Sequence, residues 1–210
     1  MELFGTAGIR GSVTEKVTPE LALAVGRAAG ADGDEFVVGR DGRVTGPALA
    51  AAMEAGLESA GATVYRAGML PTPALAFASQ GRRGVMLTAS HNPPTDNGIK
   101  VFIAGVEYDR DLERSIESRV DAGTGPIAWD EWGASEQVEP LVDYRRAVSE
   151  FAATRGGDLD GLRVVVDCGN GMGALATPQV LRELGAQVVT LNANVDGHFP
   201  GRESKPTPET

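Results

Sequence analysis

The sequence predicts an α/β fold with a mainly parallel or mixed sheet sandwiched by helices, followed by an incomplete second α/β domain. Apolar, strand-like stretches of about five residues alternate with helix-like stretches of about twelve. The strand-like stretches are nearly continuous apolar runs, which is typical of strands that are buried on both faces. Alternation of this kind indicates β-α-β units.

Capping and turn residues give the order of elements in the first part of the chain. The first helix is the clearest, because Thr18 is a favourable cap, Pro19 suits the first helical position and Glu20 places an acid in the first turn. This helix continues through Ala29. Further helices are expected at 47–60, 73–80 and 110–122, and strands at 35–39, 62–66, 84–88 and 99–103.

A second α/β cycle follows a stretch rich in Gly, Pro and Trp. We place a domain boundary near residue 154, which gives one domain at 1–154 and a second at 155–210. The second domain ends without an element that would close a sheet, so we expect it to be cut short. Its expected elements, after a connecting helix at 143–153, are a strand at 162–167, a helix at 174–184 and a strand at 187–191.

Composition limits the classes of protein to which the chain can belong. The net charge of −10 argues against broad contact with nucleic acid, which needs a basic surface. No apolar run approaches the length of a membrane span, and the N-terminus lacks the features of a signal peptide. We therefore expect a cytoplasmic protein with no membrane or nucleic-acid partner; the number of subunits is not determined. Cys168 is the only cysteine, which excludes an internal disulfide and a cysteine-rich zinc cluster.

The segment T-A-S-H-N-P-P-T-D-N-G-I-K, Thr88 to Lys100, follows a predicted strand and has three interpretations. The first is a hydrolase with Ser90 as nucleophile and His91 as base. This is disfavoured because consecutive residues leaving a strand point to opposite sides, and because no G-x-S-x-G elbow is present. The second is a simple turn, for which Asn97-Gly98 is a strong signal.

The third interpretation is a rigid loop for phosphoryl transfer. Pro93 and Pro94 stiffen the segment, and the C-terminal end of a strand in an α/β sheet is where ligands usually bind. Such a loop would aim the Ser90 hydroxyl, with Lys100 on the following strand able to reach back. Phosphoryl transfer needs a nucleophilic oxygen, cations and an acid/base group, and a serine can carry the phosphoryl group covalently.

The N-terminal stretch F-G-T-A-G-I-R-G has three glycines around Thr6 and Arg10. Glycines let the backbone approach a ligand, and an arginine can hold a phosphate through two N–H groups, although the stretch also fits a simple turn. In G-R-D-G-R, at 39–43, we expect an Arg40–Asp41 pair that orders the loop. The later C-G-N-G-M-G lacks dinucleotide-binding spacing and is expected to form a tight strand–helix turn.

Taken together, these motifs resemble the α-D-phosphohexomutase family, which comprises phosphoglucomutases, phosphomannomutases and phosphoglucosamine mutases. T-A-S-H-N-P with N-G-I-K is similar to the phosphoserine loop of the family, and F-G-T-A-G-I-R-G to its N-terminal signature. V-V-V-D-C-G-N-G-M-G and D-G-H-F-P-G-R-E-S-K-P-T-P-E resemble the opening segments of its second domain. The match runs from residue 3 to the last residue, in the order of the family.

The resemblance implies an intramolecular phosphotransferase that interconverts hexose 1-phosphate and hexose 6-phosphate. Phosphorylated Ser90 would donate its phosphoryl group to the sugar phosphate, and the bisphosphate would reorient and return the other phosphoryl group to Ser90. Lys100 would be the general base/acid. Arg10 and His91 would position the phosphoryl group and the substrate, and Asn92 would help to shape the loop.

The resemblance also implies ligands and cofactors. The partner would be a hexose phosphate, with a glucose 1,6-bisphosphate-type activator. Thr6 and Gly8 would join Asn92 in binding substrate or phosphate. Mg²⁺ would bind an oxygen of the phosphoserine at Ser90 and act as Lewis acid and orienter.

The chain also departs from the family pattern. The family has four domains around one cleft, and its Asp-Gly-Asp-x-Asp-Arg metal loop, its sugar-specificity loop and its last phosphate-binding loop are absent here. We therefore expect the 210-residue chain to bind Mg²⁺ poorly and to have little or no mutase activity. Phosphoglucosamine mutase is the alternative within the family, and a non-catalytic phosphate-binding fragment is the alternative outside the enzyme classes.

Overall fold

A computed structural model describes residues 2–33 and 35–207, so residues 208–210 of the last motif lie outside the described residues. The larger sheet contains β1 (Ile9–Ser12), β2 (Glu35–Arg40), β3 (Thr63–Met69), β4 (Arg83–Leu87), β5 (Asp96–Ile103), β6 (Val106–Glu107) and β7 (Ser135–Gln137). The helices around it are α1 (Pro19–Gly30), α2 (Gly46–Glu58), α3 (Thr72–Ala78), α4 (Arg110–Ala122) and α5 (Pro140–Thr154).

The strand order is β1-β5-β4-β2-β3-β7, with β6 paired to β5. Strands β4, β2, β3 and β7 are parallel to one another, whereas β5 is antiparallel to both β4 and β1. The α/β class with a mixed sheet is thus confirmed. The antiparallel step has a simple cause, because residues 88–95 are too few for the crossover that a parallel pair requires.

Both faces of the larger sheet are buried. On β2, Phe36 and Val38 belong to a core shared with α1, α2 and α4, while Val37 belongs to a second core shared with α3. The residues Leu141 and Tyr144 of α5 pack against this second core. Burial on two sides explains why the strand sequences are continuous apolar runs rather than alternating ones.

The helix ends follow the expected chemistry. Thr18 caps α1 by accepting a hydrogen bond from Leu21 N at 3.3 Å, with Pro19 in the first helical position. Asp109 caps α4 by accepting from the backbone N–H groups of the first turn, and Gly123 ends that helix in a left-handed conformation. The predicted span of 110–122 for this helix is confirmed.

Two stretches interpreted as turns or loops are strands. Asn97-Gly98 lies inside β5 and is buried, so its interpretation as a turn is wrong. A Cβ at Gly98 would lie 2.5 Å from the carbonyl oxygens of Ile9 and Thr88, so this glycine permits close packing of backbone on backbone. The second stretch is the end of the glycine-rich N-terminus, which forms β1 at the edge of the sheet.

A smaller two-stranded parallel sheet consists of β8 (Arg163–Asp167) and β9 (Gln187–Leu191), connected through a 3₁₀ turn (Met172–Leu175) and helix α6 (Thr177–Glu183). Helix α5 bridges the two sheets: it contacts α3 through aromatic rings 6.0 Å apart and contacts α6 through side-chain hydrogen bonds. The boundary near residue 154 falls at the end of α5 and stays a prediction. None of the helices in the described ranges is long and apolar enough for a bilayer crossing.

Candidate active site

A cavity of about 290 Å³ lies where the C-terminal ends of β2 and β4 meet. The loops that follow these two strands form part of its lining, and a segment of residues 195–204, which follows β9, forms another part. The site is therefore at the sheet edge where α/β proteins usually bind ligands. Its polar lining includes Asp41, Thr88, Ser90, His91, Asn170, Asp196 and Ser204.

Ser90 lies in this cavity, in an unusual backbone conformation. Its φ of 56° is in the left-handed region, which non-glycine residues adopt rarely. Its backbone N–H donates to Thr88 Oγ1 at 3.0 Å, and Thr88 Oγ1 donates to Asp41 Oδ2 at 2.6 Å. The end of β4 is thereby tied to the end of β2, and the Ser90 side chain is left exposed at the cavity.

Arg43 organises the residues around Ser90, which we call the Ser90 loop (88–96). Its side chain is fully buried, and all of its guanidinium nitrogens donate hydrogen bonds. The acceptors are Asp41 Oδ2 at 3.1 Å and the backbone oxygens of Ser90 at 3.0 Å, Asn92 at 2.8 Å, Pro93 at 2.6 Å and Asp96 at 2.8 Å.

The expectation of an Arg40–Asp41 pair is wrong. The Asp41 carboxylate accepts from the backbone N–H of Arg43 at 3.0 Å as well as from its side chain, whereas Arg40 Nη1 donates only to the main-chain oxygen of Asp41, at 3.2 Å. The reason is local: the turn after β2 brings Arg43 back over Asp41 and turns its guanidinium towards the Ser90 loop.

The expectation that Ser90 and His91 point to opposite sides is also wrong. Ser90 Oγ and His91 Nδ1 are 3.4 Å apart, because Ser90 is in the left-handed conformation and not in an extended strand. This separation exceeds the roughly 2.6–3.2 Å of an activated nucleophile–base pair. The contact therefore gives little support to a hydrolase.

Asn92 closes the Ser90 loop. Its backbone N–H donates to Ala89 O at 3.0 Å, and its side-chain amide donates to Asp96 Oδ2 at 2.9 Å. Both bonds are local, and they hold the two prolines between them in a fixed turn.

Gly8 and Lys100 meet at the β1–β5 pair rather than in the cavity. A Cβ at Gly8 would lie 2.6 Å from Ile99 O and 2.9 Å from Lys100 Cγ, so glycine is required by close packing. Lys100 Nζ forms an ion pair with Glu107 Oε1 at 2.5 Å, and it is this carboxylate, not Ser90, that the ammonium group contacts. Its role in proton transfer stays a prediction.

Arg10 lies on β1 opposite Gly98, and Thr6 is exposed in the loop that precedes the strand. Arg10 Nε is buried and has no hydrogen-bond partner among the described residues. Buried donors are almost always paired, so an unpaired one needs an explanation, and an absent anionic ligand is one of the recognised explanations.

The 195–204 segment contacts the Ser90 loop directly. Ser204 Oγ lies 2.9 Å from the backbone oxygens of both His91 and Asn92. The ring of Phe199 covers the Arg43 guanidinium, with 5.4 Å between the ring centroid and Cζ, which is within cation–π range. Phe199 has a φ of 53°, so this aromatic residue also adopts the left-handed backbone conformation.

The turn after β8 holds the 195–204 segment in place. The hydrogen bond from Asn192, together with those from Gly169 N and Arg202, lowers the pKa of Asp167 to about 2. The side chain of Asn170, which is buried, accepts from Gly201 N at 3.0 Å and donates to Asn194. C-G-N-G-M-G is confirmed as a tight strand–helix turn, and its function here is to anchor a loop.

Sequence reasoning missed Arg43 and Thr88 as residues of the site, and it assigned no role to Phe199 or Ser204. The contacts of Arg43 with the Ser90 loop span 47 to 53 positions, and those of Ser204 span 112 and 113. The only available signal for Arg43 was its place in a charged loop at a strand end.

Comparisons with known proteins agree with this geometry. The family model described as "Phosphoglucomutase/phosphomannomutase, alpha/beta/alpha domain I" matches residues 1–125, and the model for "alpha/beta/alpha domain II" matches residues 142–210. The chain is 49% identical over 211 residues to a protein named "Phosphopentomutase" from Thermococcus kodakarensis, covering 98% of this chain and 46% of that protein.

Two further relatives support the match. A protein named "Probable phosphoglucosamine mutase" from Methanopyrus kandleri is 47% identical over 214 residues, covering 98% of this chain and 46% of that protein. A crystal structure of a phosphoglucomutase/phosphomannomutase family protein from Burkholderia thailandensis superimposes with a TM-score of 0.81 at 33% identity, over 94% of this chain and 45% of that one.

The chain spans about half the length of the curated relatives that it matches. The match itself is extensive on the side of this chain, since the first family model alone covers residues 1–125 of 210. The chain therefore belongs to the phosphoglucomutase/phosphomannomutase family.

Proposed function

We propose that this chain carries the phosphoserine half of a phosphohexomutase, with Ser90 accepting and donating a phosphoryl group. The observation that carries the proposal is the state of Ser90: its hydroxyl is exposed at a strand-end cavity, while its backbone is held by Thr88 and Arg43. A nucleophile that is exposed and fixed in direction suits the in-line displacement of phosphoryl transfer.

In the forward transfer, the bond between Ser90 Oγ and phosphorus breaks as a sugar hydroxyl oxygen bonds to phosphorus. The hydroxyl proton leaves to a general base, and the Ser90 oxygen regains a proton when serine is the product. The reverse transfer uses the other phosphoryl group of the bisphosphate. Family membership supports Lys100 as the proton carrier, while His91 Nδ1, 3.4 Å from Ser90 Oγ, is suited to orienting the phosphoryl group.

Arg10 supplies the cationic contact in this proposal. Family membership supports this role, because a guanidinium can bind phosphate through parallel N–H bonds, although Arg10 is not among the residues that line the cavity around Ser90. Thr6, Gly8 and Asn92 complete the phosphate- and substrate-binding set that the family implies. Gly8 does so by allowing the backbone to pack closely at Lys100.

For Mg²⁺, the described residues fit only a partial site. The phosphorylated Ser90 would provide an oxygen ligand, and the ion would supply Lewis-acid stabilisation of the phosphoryl group. In residues 2–33 and 35–207, no group of three or more His, Cys, Asp or Glu side chains is placed to hold a metal. Weak binding of Mg²⁺ by this chain is a proposal, which calorimetry with Mg²⁺ would test.

Intact-mass spectrometry tests the proposal. After incubation with glucose 1,6-bisphosphate, we expect one phosphoryl increment on the wild-type protein and none on Ser90→Ala. Lys100→Met should slow the transfer more than His91→Gln if Lys100 carries the proton. Labelling that persists at wild-type level in Ser90→Ala would rule out Ser90 as the acceptor.

A substrate comparison addresses the sugar. The proposed substrate is a hexose phosphate such as glucose or mannose phosphate, with glucosamine phosphate as the alternative, which the name of the Methanopyrus relative favours. We would measure loss of the phosphoryl group from labelled Ser90 with glucose 6-phosphate, glucosamine 6-phosphate and ribose 5-phosphate. Fastest loss to the pentose would instead align the chain with the Thermococcus relative.

For the 210-residue chain alone, complete turnover of a hexose 1-phosphate to the 6-phosphate is expected to be low or absent, and a coupled assay measures it directly.

The alternative function is a non-catalytic phosphate-binding protein. Such a protein would give no phosphoryl increment with any donor, yet would still bind inorganic phosphate in calorimetry. Arg10→Met should abolish that binding.

A further inference from the structure

The Ser90 loop is held in a conformation that its own sequence does not favour. Ser90 has a φ of 56°, and such backbone conformations persist only where the surroundings impose them. Besides the local bonds of Asn92, contacts from outside the loop to its backbone can impose this conformation. Arg43 provides these contacts, since four of its five guanidinium hydrogen bonds go to backbone oxygens of the loop.

The geometry of these bonds is specific to arginine. A planar guanidinium presents five N–H donors in a fixed fork, while a lysine ammonium has three donors on one nitrogen. Arg43 Nε is bound to Asp41, and its two terminal nitrogens each bind two carbonyl oxygens. Asp41 in turn accepts from Thr88, whose hydroxyl accepts from Ser90 N. The backbone N–H of Ser90 is therefore connected to Arg43 through Thr88 and Asp41, and the backbone oxygen of Ser90 is bound to Arg43 directly.

A second layer covers this arrangement from the 195–204 segment. Phe199 lies over the guanidinium at 5.4 Å, and Ser204 bonds to the backbone oxygens of His91 and Asn92. The strained φ of Phe199, 53°, indicates that the ring is placed by its surroundings in the same way as Ser90. We call residues 195–204 the clamp segment.

We infer that Arg43 is a positioning residue that sets the direction of the Ser90 hydroxyl, and that Phe199 of the clamp segment locks Arg43 in place. The inference rests on the proposed function, because it is the transfer at Ser90 that the positioning serves. Arg43 is fully buried beneath the loop backbone, so it acts through the loop and not on the sugar phosphate.

Hydrogen–deuterium exchange tests the structural part without any chemistry. In Arg43→Lys, the amides of the non-proline residues within 88–96 should exchange about tenfold faster, since several hydrogen bonds to the loop are lost. Arg40→Lys is the matched control, because within residues 2–33 and 35–207 Arg40 donates to Asp41 O and makes no hydrogen bond to the loop. Exchange in Arg43→Lys equal to that of Arg40→Lys would overturn the inference.

Transfer kinetics test the positioning part. With glucose 1,6-bisphosphate as the donor, the maximal rate of Ser90 phosphorylation should fall about 100-fold in Arg43→Lys, the usual effect of misplacing a reacting group by about 1 Å. The half-saturating donor concentration should stay unchanged. An increase in that concentration with an unchanged maximal rate would show that Arg43 binds the donor, which also overturns the inference.

Phe199→Leu covers the case in which Arg43→Lys does not fold. Phe199 is only half-buried, and leucine keeps an apolar side chain while removing the ring over the guanidinium. We expect faster exchange in 88–96 and a lower maximal rate, and wild-type behaviour in both would overturn the locking role. If the wild-type protein takes no phosphoryl group at all, the proposed function fails, and the exchange comparison alone still decides the inference.

Discussion

The hydroxyl of Thr88 does more than fill space at the end of β4. It accepts from Ser90 N and donates to Asp41 Oδ2, so it connects the backbone of Ser90 to the carboxylate that also binds Arg43. Thr88 is 4% exposed, and water cannot easily replace these bonds. The orientations of the Ser90 backbone and of the Asp41 carboxylate therefore depend on the buried side chain of Thr88.

Thr88→Val tests this dependence, because valine has a nearly identical shape without the hydroxyl. The change leaves a part-buried N–H and a buried carboxylate oxygen with one partner fewer, which costs about 1–3 kcal/mol in the free energy of unfolding. Chemical denaturation measures the loss. Thr14→Val, at an exposed hydroxyl, should change the unfolding free energy by less than about 0.5 kcal/mol. Equal effects at the two positions would contradict the role of Thr88.

At this scale, the sequence identified the residues whose function is local and missed those whose function depends on distant contacts. Ser90 and the prolines stand together in one motif, so their place at a strand end could be predicted. The partners of Arg43 lie about fifty positions away, for example Pro93 at a separation of 50. No local pattern distinguishes that arginine from Arg40, which explains the wrong choice of partner for Asp41.

Among the elements, α1 and α2 pack backbone against backbone at two glycines. A Cβ at Gly26 would lie 2.5 Å from Met53 O, and a Cβ at Gly56 would lie 2.4 Å from Leu23 O. Two glycines thus allow one helix backbone to lie directly against the other. Both helices pack on one face of the larger sheet, in the core that includes residues of β2. Their spacing therefore also affects the position of the loops at the strand ends.

Gly26→Ala should destabilise the protein although alanine is the better helix former. The helix propensity would favour alanine by about 1 kcal/mol, but overpacking against a backbone oxygen costs about 1–3 kcal/mol or more. Thermal unfolding should show a lower midpoint. Gly125→Ala, in open space, serves as the control and should have little effect. A raised midpoint for Gly26→Ala would show that the helices separate without cost.

The elements could be predicted from the sequence where one local signal, such as a helix cap, was strong. Helices with a clear cap, such as α1 and α4, were located to within one residue at each start. β1 and the first part of β5 were not, because their glycines and Asn97 are typical of turns. These residues form strands because β1 and β5 pair with each other, with Arg10 opposite Gly98. Such pairing is not visible in either stretch alone.

For the whole molecule, the hydrogen bonds of Asp167 connect β8, the end of β9 and the clamp segment. Its pKa is lowered from 3.8 to about 2 by the bond from Asn192 and those from Gly169 and Arg202. A carboxyl with a lowered pKa in the folded state stabilises that state above its unfolded pKa. The contribution is lost as the pH falls through the folded pKa.

Asp167→Asn should therefore lower the unfolding midpoint at neutral pH, and the difference from wild type should depend on pH. We expect the difference to be constant above about pH 4 and to shrink as the pH falls towards about 2. Scanning calorimetry between these limits measures it. Asp130→Asn, at an exposed position in the connecting stretch, is the control. A difference that stays the same at every pH would show that the charge of Asp167 is not responsible.

The antiparallel connection between β4 and β5 has a mechanical consequence. The Ser90 loop leaves one central strand and enters its neighbour, with Thr88 N bound to Gly98 O at 2.9 Å, Val13 N bound to Thr95 O at 3.3 Å, and Arg43 bound beneath it. A segment that is held at both ends and in the middle has little freedom to move. If Ser90 carries out the proposed phosphoryl transfer, any movement that the reaction requires falls to the substrate or to the clamp segment.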